Sequence, residues 1–142
     1  MGGCFLLLAA QAHPRLFRSL VVLCPVDGAS LLAGLDVLED DPSRTPGGPR
    51  GRVYEARFAA GALRPYLAGL DLVAAARGMP RVLLAHARDD EQVPFAHSRR
   101  LTEVLGAPTQ FIALAEGGHH GPGRSAFVAR ATIDWVLANA PA

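Results

Sequence analysis

The chain has 142 residues, half of them apolar, with a mean hydropathy of +0.21 and a formal net charge of +1. That is enough chain for one domain with a real core, and the overall composition is that of a globular chain rather than a disordered one. A near-neutral charge offers no electrostatic basis for binding nucleic acid or an anionic membrane, and all 14 basic residues are Arg, a bias in codon usage rather than an arginine patch.

Cys4 to Ala12 is apolar nearly all round, which predicts a short buried helix stopped by His13-Pro14. Its end, Ala10-Gln11-Ala12, resembles a peptidase site, but no basic residue precedes it and the apolar run is too short for a signal peptide. Met1-Gly2 lacks the Ser or Thr at position 6 that myristoylation requires. Ser19 to Val26 is a continuous β-branched and apolar run, the pattern of a strand buried on both faces, ended by the turn Asp27-Gly28. Ser30 to Leu38 predicts a short helix. Glu39 to Arg52 is polar with three prolines and three glycines and predicts a flexible loop. Val53 to Leu70 reads as helical in part, and Asp71 to Arg77 as a turn or two of helix closed by Gly78.

Arg81 to Ala87 predicts a second buried strand. Pro94 to Leu105 predicts a helix with Leu101, Val104 and Leu105 on its apolar face. Thr109 to Ala115 predicts a third strand. Ser125 to Ala138 predicts a helix capped by Ser125, with Val128, Ala131 and Trp135 as its stripe. No stretch is long enough to span a bilayer. Cys4 and Cys24 lie in apolar runs without metal-ligand spacing, so they read as buried free thiols, in keeping with a reducing cytoplasm.

The alternation of strands and helices implies an α/β fold with a parallel sheet. In such sheets function sits at the carboxyl ends of strands. Three segments lie there: Asp27-Gly28, Arg88 to Val93, and Glu116 to Gly121. The second carries three carboxylates, Asp89, Asp90 and Glu91, and the third a Gly-Gly-His-His run. An acid on one strand-end loop and a histidine on the next can meet in one cleft, the carboxylate fixing the imidazole tautomer and the imidazole moving protons. The adjacent pair His119-His120 is a poor metal site, because neighbouring side chains diverge. His86 reads as a structural residue bracing its loop, and His13 and His97 as surface residues.

His86-Ala87-Arg88-Asp89-Asp90-Glu91-Gln92-Val93-Pro94 resembles the acid loop of the α/β-hydrolase superfamily, and Gly117-Gly118-His119-His120-Gly121 its base loop. The resemblance covers residues 1–38 and 70–140. It implies the C-terminal half of an α/β-hydrolase fold, esterase-like or acylaminoacyl-peptidase-like, with a lid-like insertion at 39–69 in a single domain spanning 1–142. It assigns the acid to Asp90, three residues before Val93, with Asp89 as its solvent-facing neighbour. It assigns the base to His119, with His120 the alternative base and Asp27 an alternative acid. Ala87 stands where the family carries glycine.

The start, Met1-Gly2-Gly3-Cys4, resembles the residues just after the serine of a G-x-S-x-G nucleophile elbow. The backbone N–H of Met1 then belongs to the oxyanion hole, and Gly2 is the closing glycine. None of Ser19, Ser30, Ser43, Ser98 and Ser125 lies in a G-x-S-x-G context, so no nucleophile is assigned. The implied function is a serine hydrolase of esters or small-peptide amides, without cofactor or metal and inactive as this chain alone. The alternative is a non-catalytic binding module or one half of a split hydrolase. The strand Ser19 to Val26 lacks a charged gatekeeper, which predicts self-association through an exposed edge.

Overall fold

A computed structural model describes residues 2–33, 60–79, 81–106 and 108–140. Met1, the loop expected at Glu39 to Arg52 and the end of the helix expected at Ser30 to Leu38 lie outside the described residues. The chain divides into two compact units, Met1–Val26 with Leu72–Ala142, and Asp27–Asp71.

The first unit is built on strands β1 (Ser19–Leu23), β2 (Arg81–Ala87) and β3 (Thr109–Leu114), all parallel and in the order β1-β2-β3. β2 is central, and every residue from Val82 to Ala87 is buried. That is why its sequence shows no polar alternation. Its two faces meet different partners. Leu83 and Ala85 pack with Ile112 and Val128, flanked by Val21, Leu114, Ala131 and Trp135. This face is covered by the last helix, Ala126–Ala138, which uses the stripe read from its sequence. Its cap is Ser125, whose Oγ accepts from the Val128 N–H at 3.3 Å.

The opposite face carries Val22, Leu84 and His86. Helix α1 (Gly2–Ala12) lies against it with Cys4, Leu7 and Ala10 buried. The expected all-round burial of α1 does not hold, since Phe5 stays 47% exposed: a single helix packed on one sheet face buries one stripe. The close passage of helix and strand falls at Gly3, where a Cβ would stand 2.9 Å from Val22 Cγ1; at Gly2 it would meet nothing. Helices α3 (Leu72–Ala76) and α4 (Ala96–Val104) complete this layer. α4 buries His97, Ser98 and Leu101, so His97 is not the surface residue expected. Its position beside Ser98 on the inward face of α4 decides that.

β1 ends three residues earlier than its apolar run. Cys24 takes φ +43, outside the range of a strand, although its N–H still donates to Ala85 O at 3.0 Å. Among the described residues the outer edge of β1 has no strand partner.

In the second unit residues 28–33 are helical, and Asp27 accepts the Ser30 N–H on its Oδ1 at 2.9 Å. Helix α2 (Ala60–Ala68) contains Pro65. Gly28 admits no side chain, because a Cβ there would stand 2.1 Å from Leu67 O. Among the described residues no helix is long and apolar enough to cross a membrane.

Candidate active site

The register levels the carboxyl ends of the strands, with Leu23 opposite Ala85 and Ala87 opposite Leu114. The chain therefore leaves all three strands at neighbouring points. Arg88 N–H still donates to Leu114 O at 2.9 Å, and the acid loop begins one residue later.

Asp90 and His119 meet there. His119 Nδ1 lies 2.9 Å from Asp90 Oδ2, across 29 residues of sequence. Asp90 is buried, and its side chain is fully enclosed. Oδ1 accepts the Gln92 and Val93 N–H groups at 2.9 and 2.8 Å. Oδ2 accepts His119 and, at 3.0 Å, His86 Nε2. Burial by itself pushes the Asp90 carboxyl up, but the Val93 N–H, His119 and the Gln92 N–H outweigh it and hold the group below the ordinary carboxylate value.

Chemistry fixes the His86 tautomer. Its Nε2 also lies 3.0 Å from Val93 O, and a carbonyl can only accept. Nε2 therefore carries the proton, and Nδ1 accepts from Ser98 Oγ at 2.7 Å. His86 is wholly buried, and its role is the bracing expected from its position. The same reasoning applies to His119. An ionised Asp90 accepts only, so Nδ1 carries the proton and Nε2 holds the lone pair of a basic nitrogen. Nε2 has no hydrogen-bond partner among the described residues, and 23% of the side chain is exposed. His120 makes an edge-on ring contact with His119 at 5.3 Å, and among the described residues it is His119, not His120, that bonds Asp90.

Two residues join this arrangement without having been expected to. Asp89 is exposed, yet its two oxygens accept the Gly117 and Gly118 N–H groups at 3.0 and 2.9 Å. Those bonds, Gly118 first, hold its carboxyl below the ordinary value. Asp89 is thus a latch between the acid and base loops rather than a free neighbour. The signal was present in the pairing of Asp-Asp with Gly-Gly, but two exposed loops 28 residues apart give no local hint of contact. The second is Cys24, whose Sγ donates to His119 O at 3.5 Å. Burial, and then the charge and hydrogen bond of Asp90, push its thiol up to about 12. Nothing in its apolar sequence context marks it. Met1 lies outside the described residues, and Asp27 belongs to the other unit, where its Oδ1 caps the helical turn at Ser30.

A parallel three-stranded sheet with helices on both faces is the architecture of part of an α/β-hydrolase fold. Solved structures agree. The chain is similar to Est1E from Butyrivibrio proteoclasticus, solved with ferulic acid bound, at TM-score 0.68 and 16% identity, covering 96% of this chain and 55% of that one. It is similar to the esterase domain of a Rhodothermus marinus protein at TM-score 0.64 and 20% identity, covering 95% and 55%. It is also similar to the acetyl xylan esterase from Paenibacillus sp. R4 at TM-score 0.66 and 20% identity, covering 98% and 43%. The chain thus spans about half the length of the structures it matches. No protein-family model matches it, and no curated protein does.

Proposed function

We propose that this chain is the acid-and-base half of a serine hydrolase acting on ester or small-peptide amide bonds, with its nucleophile supplied from outside residues 1–142. The observation that carries this reading is the 2.9 Å contact of Asp90 Oδ2 with His119 Nδ1, which leaves Nε2 as an open base. In the complete enzyme a serine Oγ attacks the carbonyl carbon while His119 Nε2 takes its proton. The imidazolium then gives that proton to the leaving group, and Asp90 holds the ring and balances its charge throughout. The backbone N–H of Met1 contributes to binding the oxyanion. Esters are the first substrates to try, since the neighbours named above are esterases.

A fluorophosphonate probe tests the reading. The chain as given is expected not to label. Expression with in-frame upstream sequence carrying a G-x-S turn is expected to restore labelling, and His119→Ala to abolish it again. Stoichiometric labelling of the 142-residue chain overturns the missing nucleophile. An upstream stop codon leaves the split or non-catalytic half.

The same reading extends to the outer edge of β1, which pairs in the complete protein with a further strand. Alone, the chain is expected to associate through that edge. Size-exclusion chromatography with light scattering checks this, and a stable monomer with a cooperative melt overturns it.

A further inference from the structure

Cys24 has no part in the hydrolysis proposed above, yet it belongs to the same cluster. Its Sγ, a carboxylate oxygen of Asp90 and a ring nitrogen of His119 all lie within 4.8 Å of one another. Each comes from the end of a different strand, β1, β2 and β3. Thiol sulfur, carboxylate oxygen and imidazole nitrogen are together the donor set of Zn2+ and related thiophilic ions. Ligands bound tetrahedrally at about 2.0–2.3 Å stand roughly 3.3–3.8 Å apart. The cluster needs to shift by about an ångström rather than to be rebuilt.

We infer that Cys24, Asp90 and His119 form a binding site for one thiophilic dication, Zn2+ or Cd2+. Binding itself does not depend on the hydrolase reading. Its consequence does: an ion held by His119 and Asp90 removes the base from the reaction and silences the site.

Independent observations support the site. Cys24 has left-handed backbone with φ +43, a conformation that a non-glycine residue keeps where its surroundings over-determine it. That backbone ends β1 and accompanies the thiol's placement against the base loop. The surroundings are anionic. Asp89 and Asp90 stand side by side on the acid loop, and Glu91 lies beside Gly118, its Oε2 3.2 Å from where a Cβ there would stand. The nearby cation Arg88 is engaged with the Phe95 ring, 4.9 Å from its centroid. A carboxylate at this position attracts a dication, and ion and proton compete for one sulfur. The balance is simple. Cys24 loses one proton to solvent as the metal–sulfur bond forms. The imidazole stays neutral: His119 binds through Nδ1, its proton passes through solvent to Nε2, and Asp90 exchanges the imidazole N–H for the ion. The partly exposed face of His119 is the way in.

The test uses the 142-residue chain, stripped with EDTA and desalted. It is titrated with CdCl2, following the thiolate-to-cadmium charge-transfer absorption, and with ZnCl2 by calorimetry in two buffers of different protonation enthalpy. One ion per chain, about one proton released and a cadmium–thiolate band are expected. Cys24→Ser should abolish the band, and both it and His119→Ala should weaken binding by about 100-fold or more, while Cys4→Ala leaves binding unchanged. Circular dichroism identifies the folded variants. Should Cys24→Ser not fold, the partly exposed loop variant His119→Ala carries the decision. The inference is overturned by no band at stoichiometric cadmium, by a band that follows Cys4, by a folded Cys24→Ser or His119→Ala variant with parental affinity, or by loss on His120→Ala instead of His119→Ala. Failure of fluorophosphonate labelling in the extended protein would sink the hydrolase reading and leave these results standing.

Discussion

The acid loop and the base loop meet at one hydrogen bond but are built on opposite principles. Asp90 receives four N–H donors, and behind it His86 and Ser98 continue the network into the buried face of α4. The base loop has no such backing. It turns on two positive-φ glycines, Gly117 at +127 and Gly118 at +60, and its backbone is latched by the exposed carboxylate of Asp89. The difference suits the proposed chemistry. A group that only orients and balances charge gains from a fixed, buried setting. An imidazole that passes a proton between two oxygens needs an open Nε2 and some freedom of its ring.

The largest expected effect is at the shared bond. In the protein completed with its nucleophile, Asp90→Asn should cost about four orders of magnitude in turnover, because an amide can hold the wrong imidazole tautomer. Steady-state kinetics with an activated ester checks this. A loss under tenfold would mean that Asp90 does not orient the base.

Next comes the backing of the acid loop. His86→Leu strands the Ser98 hydroxyl in the core and removes a donor from Asp90, at a cost of about 1–3 kcal/mol in urea unfolding. Adding Ser98→Ala should recover part of the loss, since both members of the pair are then apolar. A double variant no more stable than the single one would show that the Ser98 contact is idle.

The base loop should respond through its backbone instead. A Cβ at Gly117 would stand 2.9 Å from the Cα of Gly121, while one at Gly118 meets the movable Glu91 carboxylate at 3.2 Å. Gly117→Ala is expected to cost about 1–3 kcal/mol, and Gly118→Ala toward the lower end of that range. Thermal melts rank them, and the reverse order would contradict the described turn.

The smallest effect is the response to acid. Asp89 and Asp90 both have folded-state values below the ordinary one. Their contribution is therefore present above the unfolded carboxylate value, near pH 4, and is lost as pH falls through the folded values. Melting temperature should drop below about pH 4, and Asp90→Asn should flatten that drop. Asp89→Asn should leave the melt nearly unchanged but speed amide exchange at Gly117 and Gly118.

Much of this was legible in the chain. The segment Arg81 to Ala87, read as a buried strand, is β2 residue for residue, because a central parallel strand has no solvent face to impose alternation. The Ser125 cap and the stripe of Val128, Ala131 and Trp135 placed the last helix, since both are local signals of helix geometry. Asp90 and His119 stood out because strand-end loops of fixed motif carried them. The run Ser19 to Val26 was misread at its end, where Cys24 turns the chain, because hydrophobicity does not report backbone conformation.

Sequence by itself therefore determined the three strands to within their ends, the last helix, the parallel sheet and the residue types at its carboxyl ends, all of which rest on periodicity and local turn chemistry. Tertiary structure decided which of those residues touch. Cys24 reaches His119 across 95 positions, Asp89 reaches Gly117 across 28, and His97 turns inward beside Ser98. These contacts depend on strand register and on which face a helix presents. Both are fixed by packing over the whole sheet and leave no mark on the residues nearby.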